Sequence, residues 1–319
     1  MTVWLDFLYL LALGALLAWL PASGLLWLAG RWLSRDFRSR HLWLLSLTPW
    51  LAMATPVTAM CITAAGKPLG WITDHCIHHG THHPHLCFEH WPALDWQWIH
   101  LFGAAALASL SAKVLAGFLQ SEHRAARDIA ALRALSRGRG RLRRLDTPEA
   151  FACTAGYRYP TLFMSRGLTD RLDYRERRIV LAHEVAHLRQ RDPLRHLLFN
   201  VLLLAHWPCS ARALGALWRQ RVEEQADDRA ALRFGPDAVA ATLIKVARLS
   251  GPAPAGSLSA NGGHLLTRIH RLLHARPGTP AGATPVTSIL TSATFLAGVT
   301  AIVVAHHSLE TLLGFLVGV

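Results

Sequence analysis

The sequence predicts a mostly helical membrane protein that carries a small α+β unit between its third and fourth spans. Three observations lead there. Hydrophobic residues make up 52% of the 319 residues and charged residues only 17%, with mean hydropathy +0.25, which is too apolar for an ordinary soluble enzyme and rules out a disordered chain. Four segments are long and apolar enough to cross roughly 30 Å of hydrocarbon. The chain is also strongly basic, at net charge +13, and 30 of its 33 cations are Arg because Lys occurs only at 67, 113 and 245. A basic, hydrophobic chain points to a bilayer before it points to nucleic acid, since Arg collects on the cytoplasmic side of membrane proteins.

The spans come in order. The first runs about Val3–Gly30, with a lone Asp6 near its start. The second, about Leu42–Gly66, holds Pro49 and Pro56, which spanning helices tolerate. The third runs about Trp98–Gln120, with Lys113 close enough to the interface to snorkel. The fourth runs about Val286–Ala305. A buried core helix is the alternative for each, but the first three exceed typical core helices in length. The N-terminus lacks a basic n-region and its apolar stretch is too long for a cleaved signal peptide.

Charge orients the spans. Arg31, Arg35, Arg38 and Arg40 fill the first connection, whereas the second, Lys67–Gln97, has one Lys and no Arg. After the third span come Arg124, Arg127, Arg133, Arg137, Arg139, Arg141, Arg143 and Arg144. The positive-inside rule then puts the N-terminus outside and residues 121–285 in the cytoplasm. The expected organisation is a membrane region 1–120 with an outer loop at 67–97, a cytoplasmic domain 121–285, and a fourth span with a short apolar tail at 286–319. The Arg-rich stretch 124–144 has no interleaved aromatics and abuts a span, so it reads as a solvated helix over anionic head groups and not as a nucleic-acid surface.

The chemistry is concentrated in Asp173-Tyr-Arg-Glu-Arg-Arg-Ile-Val-Leu-Ala-His183-Glu184-Val-Ala-His187. Asp173 is a good N-cap, and Glu176 three residues on completes a capping box. Ile179, Leu181, Ala182, Val185, Ala186 and Leu188 supply an apolar face. His183 and His187 then sit one turn apart on one side of a helix, able to grip one metal ion. Glu184 lies beside them as a general base for an activated water. A string of this kind is expected by chance only about 0.03 times in a chain of this composition.

A catalytic zinc site needs three protein ligands and one open position. Downstream, Glu223 and Asp227 share a helix face, with Glu223 placed to be the third ligand and Asp227 to hold the far nitrogen of a ligand His. Glu224 and Asp228 form an equally spaced rival pair, and a solvated acidic face is the plain alternative. Asp192-Pro193 reads as an N-cap followed by Pro at N1. The stretch 193–217 reads as a buried helix pair, because Pro208 interrupts it and Arg212, Arg219 and Arg221 follow. Gly235-Pro236 ends the helix that bears Glu223, and further helices are expected at Asp237–Leu249 and Gly263–Ala275. Upstream, Ala150–Ala155 and Pro160–Ser165 read as two short strands around a turn, one of which offers an edge to an extended substrate.

On these residues the chain resembles the BlaR/MecR-type membrane zinc peptidases, relatives of the HtpX and CAAX-protease group. The matching pieces are Thr154-Ala-Gly156, Ser165-Arg-Gly167-Leu, Leu181-Ala-His-Glu-Val-Ala-His187, Arg191-Asp-Pro193-Leu, His206-Trp-Pro208 and Glu223-Glu-Gln-Ala-Asp-Asp228. The order of three spans, a cytoplasmic zincin and a fourth span is similar too. The resemblance implies one catalytic Zn²⁺ held by His183, His187 and Glu223, with Asp227 behind them. It also implies a bacterial cell membrane, and cleavage of a cytoplasmic protein, in the best-known members a transcriptional repressor. Those receptors carry an outer ligand-sensing domain after the last span. Only a short tail is expected here, so β-lactam sensing is not carried over.

The outer loop holds His75, Cys76, His78, His79, His82, His83, His85, Cys87 and His90. Such a tract is a compositional signal for metal binding or pH sensing, beside the alternative of a plain polar loop. Its outside placement allows a Cys76–Cys87 disulfide. The function expected from all this is a membrane-bound zinc endopeptidase with Glu184 as base. His196, His206, Tyr157 and Arg221 are the candidates for stabilising the oxyanion. Two rivals follow from the same residues: a quality-control membrane protease, and a non-catalytic metal receptor working through the outer His loop.

Overall fold

A computed structural model describes residues 2–30, 39–71, 98–138, 140–249, 265–274, 298–303, 308 and 311–313. Three of its helices are long and apolar enough to cross a membrane: α1 (Thr2–Gly30), α2 (Ser39–Gly66) and α3 (Trp98–Leu135). α1 and α2 pack on each other through Phe7, Leu10, Met60 and Ala64. The apolar part of α3 presents Leu101, Phe102, Leu110, Val114 and Leu119 outward, as a helix in lipid does. Most of the expected fourth span lies outside the described residues, although 298–303 are helical and Gly298 lies against Thr55 of α2. The outer loop with His75, His78, His79, His82, His83, His85, His90 and the Cys76–Cys87 pair also lies outside them.

The Arg-rich stretch 124–144 is not one helix. α3 continues unbroken past the expected span end at Gln120 as far as Leu135, so the boundary expected at 120/121 falls inside it. The chain then turns through β1 (Ser136–Arg137) and β2 (Leu142–Leu145). Gly138 and Gly140, at φ +117 and +81, supply the left-handed backbone that this reversal needs. The Arg143 guanidinium donates to the carbonyl of Arg133 at 3.1 Å, satisfying an orphan acceptor at the end of α3.

The two expected strands form as β3 (Ala152–Ala155) and β4 (Thr161–Ser165), paired antiparallel with Cys153 opposite Phe163. β4 is parallel to β2, giving the order β1-β2-β4-β3. β4 is therefore central and wholly buried, while β3 is an edge strand. A short helix, α4 (Arg166–Arg171), follows β4 and is capped by Ser165 Oγ, which accepts from Leu168 N–H at 3.2 Å. Gly167 allows this packing, because a Cβ there would collide with the carbonyl of Pro148.

The remaining helices are α5 (Tyr174–Gln190), α6 (Asp192–Leu203), α7 (Pro208–Phe234), α8 (Pro236–Leu249) and α9 (Leu265–His274). α5 starts on the expected capping box, with Asp173 Oδ1 accepting from Glu176 N–H and Glu176 Oε2 from Asp173 N–H, both at 2.8 Å. Its Val180 side meets Leu162, Met164 and Leu168 of the sheet layer, and its Ile179 side meets Ala230 of α7 and Val239 of α8. The expected pair at 193–217 is α6 and the start of α7, but α7 runs on to Phe234, so the second member of the pair and the helix bearing Glu223 are one element.

Phe199 and Trp218 stack at 4.8 Å between centroids, and Trp43 of α2 meets both edge-on at 5.5 Å. This aromatic cluster joins the membrane helices to α6 and α7, and Trp218 is fully buried within it. Trp218→Ala should destabilise the protein by about 3–5 kcal/mol through the cavity it leaves. Thermal unfolding of the detergent-solubilised variant, followed by circular dichroism, measures this as a lowered Tm.

Candidate metal centre

α5 carries His183, Glu184 and His187 and packs on β3 and β4 of the sheet. The last turn of α5 decides how His187 is held. Arg191 takes a left-handed conformation at φ 53, and its N–H closes onto the carbonyls of His187 and Leu188. That reversal swings Asp192 back beneath the helix. Asp192 is not an N-cap: it is the first residue of α6, and its Oδ2 accepts from His187 Nδ1 at 2.9 Å. Arg195 holds the other oxygen, Oδ1, at 2.7 Å. His187 is thereby fixed with its Nε2 facing inward.

α7 packs across α5 and supplies the carboxylates. Glu223 Oε2 lies 3.4 Å from His183 Nε2 and its Oε1 lies 3.7 Å from His187 Nε2. Asp227 Oδ1 lies 3.0 Å from His183 Nδ1. The rival pair points elsewhere. Glu224 accepts from Gln220 at 2.8 Å and from Arg221 at 2.6 Å, and Asp228 pairs with Arg271 at 2.5 Å. Behind Glu223 and Asp227 sits Arg268 of α9, 3% exposed, whose Nε and Nη2 grip Asp227 at 2.7 and 2.8 Å while Nη1 reaches Glu223 Oε2 at 3.0 Å.

His183, His187 and Glu223 form the metal-competent cluster among the described residues. Their geometry fits a tetrahedral ion. The two Nε2 atoms face each other at 3.1 Å, and the Glu223 oxygens stand 3.4 and 3.7 Å from them. Ligands at about 2.0–2.1 Å from one tetrahedral centre lie roughly 3.3–3.4 Å apart. Both Nδ1 atoms sit against carboxylates, which leaves both Nε2 lone pairs for a cation. The field of the cluster also calls for positive charge. Burial works against a charged His183, but Asp227 and Glu223 outweigh it and carry its pKa up to about 10. Burial likewise opposes ionised Glu223, yet Arg268 and the two imidazoles hold it down to about 2, and Asp227 falls below the usual carboxylate range for a similar reason.

Glu184 is buried at the edge of the same cluster, against β3. The Thr154 hydroxyl of that edge strand donates to Glu184, with Oε2 at 2.8 Å and the main-chain carbonyl at 3.1 Å. The four oxyanion candidates separate. His206 donates to the carbonyl of Ser46 in α2, Arg221 is engaged with Glu224, and Tyr157 hydrogen-bonds Glu122 of α3. His196 on α6 is electrostatically coupled to Arg219 and to Asp192, the partner of His187. Three side chains that the sequence reading did not place at the centre belong to it: Thr154, Asp192 and Arg268. The Asp-Pro pair had the look of a helix start, and Arg268 follows a Pro/Gly-rich linker that carries no spacing signal.

Residues 123–249 match peptidase family M48, a metallopeptidase family. The matched stretch runs from the distal part of α3 to the end of α8, and so includes His183, Glu184, His187, Glu223 and Asp227 but not Arg268. No curated protein matches the chain. Together with the three long apolar helices, the match supports a membrane-associated metalloprotease.

His196 gives a pH test of the environment beside Asp192. Burial, then Arg219, pulls its pKa from 6.5 to about 4. The unfolded chain thus binds a proton that the folded chain refuses between those values, so stability is lost as pH falls through that window. His196→Leu should flatten the fall in Tm between pH 6.5 and pH 4 relative to wild type.

Proposed function

We propose that this chain is a membrane-bound zinc endopeptidase that hydrolyses a peptide bond in a cytoplasmic protein, a repressor-type regulator in signal transduction. The observation that carries the reading is the convergence of two imidazole Nε2 atoms and the Glu223 carboxylate at tetrahedral spacing, with Glu184 next to them. The BlaR/MecR-like motifs favour a regulatory target over general quality control, and the excess of Arg after the third span favours a cytoplasmic domain and an outside N-terminus.

When bound, zinc would polarise the scissile carbonyl and make a water acidic enough to lose its proton near neutral pH. The chain's own residues do the rest. His183, His187 and Glu223 would hold the ion, with Asp192 fixing the His187 ring through Nδ1 and the Asp227 carboxylate standing 3.0 Å from His183 Nδ1. β3 is an edge strand among the described residues, and an extended peptide laid alongside it would have its carbonyl set over the centre. Glu184 takes the proton of the attacking water and passes it to the leaving amine. Thr154 holds the Glu184 carboxylate at the strand that carries the substrate.

Glu184→Gln should retain bound zinc and lose cleavage. A comparison of cytoplasmic proteins in cells carrying wild type or this variant should reveal a single cut regulator, whereas many differing substrates would favour quality control and none would overturn the reading. Glu223→Ala should lower zinc content measured by atomic emission. Asp192→Ala should weaken zinc affinity roughly 10–100-fold, as loss of a ligand's hydrogen-bond partner does.

A further inference from the structure

The turn between α6 and α7 meets the membrane helices in a way that a buried turn of a soluble domain has no need of. The Trp19 indole N–H of α1 donates to the Ala205 carbonyl at 2.6 Å, and the Trp50 indole N–H of α2 donates to the Leu202 carbonyl at 2.8 Å. His206 donates to the Ser46 carbonyl at 3.1 Å, and Trp207 lies 6.2 Å from Trp27 between ring centroids. The end of α6 leaves orphan carbonyls. In water these need no side-chain donors, but in hydrocarbon each unmet one costs several kcal/mol. Indole donors from two spanning helices meet Leu202 and Ala205.

Helix rise gives the depth. α1 and α2 are 29 and 28 residues long, about 42–43 Å, so they overhang a 30 Å hydrocarbon layer by roughly 6 Å at each end. From Ser39 to Ser46 is about 10 Å, and from Gly30 back to Trp19 about 16 Å. The turn therefore sits roughly 4–10 Å inside the hydrocarbon boundary. Its outward face is apolar, with Leu198 and Val201 48% and 36% exposed and Cys209 exposed at the tip. Arg212, one turn further along α7, donates from Nε to the Pro208 carbonyl at 3.2 Å, which satisfies an acceptor at the start of α7 and leaves the rest of the guanidinium to reach for the head groups.

We propose that the α6–α7 turn is a shallow re-entrant wedge whose exposed face, Leu198, Val201 and Cys209, contacts lipid acyl chains. α7 then starts in the lipid and passes Glu223 and Asp227 before ending at Phe234, so the wedge fixes the height of the metal centre above the bilayer. This rests on α1 and α2 spanning a membrane and is independent of whether the centre is catalytic.

The test uses the full chain reconstituted in liposomes, with a fluorophore on Cys209 and Cys61, Cys76 and Cys87 replaced by Ala. Cys153 stays in place, because burial and then Glu184 push its thiol up to about 12, where it does not compete for the label. A second label position, Leu198→Cys with Cys209→Ala, makes the result independent of either substitution. Leu232→Cys, 75% exposed near the far end of α7, is the aqueous control. Lipids brominated near the carbonyl end of the acyl chain should quench both wedge positions several-fold more than the control, and more than lipids brominated near the methyl end. Quenching no greater than that of the control at both positions would overturn the wedge. Strongest quenching by the methyl-end bromines would replace it with a fully inserted hairpin.

Discussion

The structure turns on the crossing of α5 and α7, because that contact brings buried charges together that would be intolerable apart. Glu223 and Asp227 are both buried, and two carboxylates in a low-dielectric interior require compensation. Arg268 supplies it by gripping Asp227 with two nitrogens and reaching Glu223 with a third. The imidazoles supply the rest. The same charges that make this crossing costly to assemble are the ones a cation between the imidazoles and Glu223 would offset, so the stability of the domain and any metal affinity would depend on the same few side chains.

From that crossing the other elements take their places. The capping box at Asp173 sets where α5 begins, and Arg191 sets where it ends, which is what lets Asp192 reach His187. The small sheet lies along α5 with β3 at its edge, so Thr154 meets Glu184 from the strand side while the ligands face α7. α9 is a short helix, but it bears both Arg268 and Arg271, and through them it secures Asp227, Asp228 and Glu224 on α7.

Spacing-encoded features were legible in the sequence. Two His residues one turn apart, and Glu223 with Asp227 one turn apart, are fixed by helix periodicity, and the structure joins them. Periodicity could not separate Glu223/Asp227 from Glu224/Asp228, because the choice depends on how α7 is rotated against α5. Asp192 was misassigned because an Asp-Pro pair is a common way to start a helix, and only the left-handed turn at Arg191 gives it another use. β1 and β2 were hidden because Arg143 and Arg144 look solvated in sequence, whereas Arg143 turns inward to close the end of α3. Arg268 lies 41 residues from Asp227, and no local rule reaches so far.

The first part of α3 is apolar enough to cross a membrane and its last turns lie against the sheet, where Ile129 and Leu132 pack by Leu145, Cys153 and Phe163, and where Glu122 and Arg133 hold Tyr157 and the Tyr159 carbonyl. Its 38 residues form one rod about 57 Å long. A stiff rod of that length moves its far end by about 1 Å for each degree of tilt. Any tilt of α3 about its N-terminal end would therefore be felt, as at the end of a lever, by the sheet whose strand β3 meets Glu184.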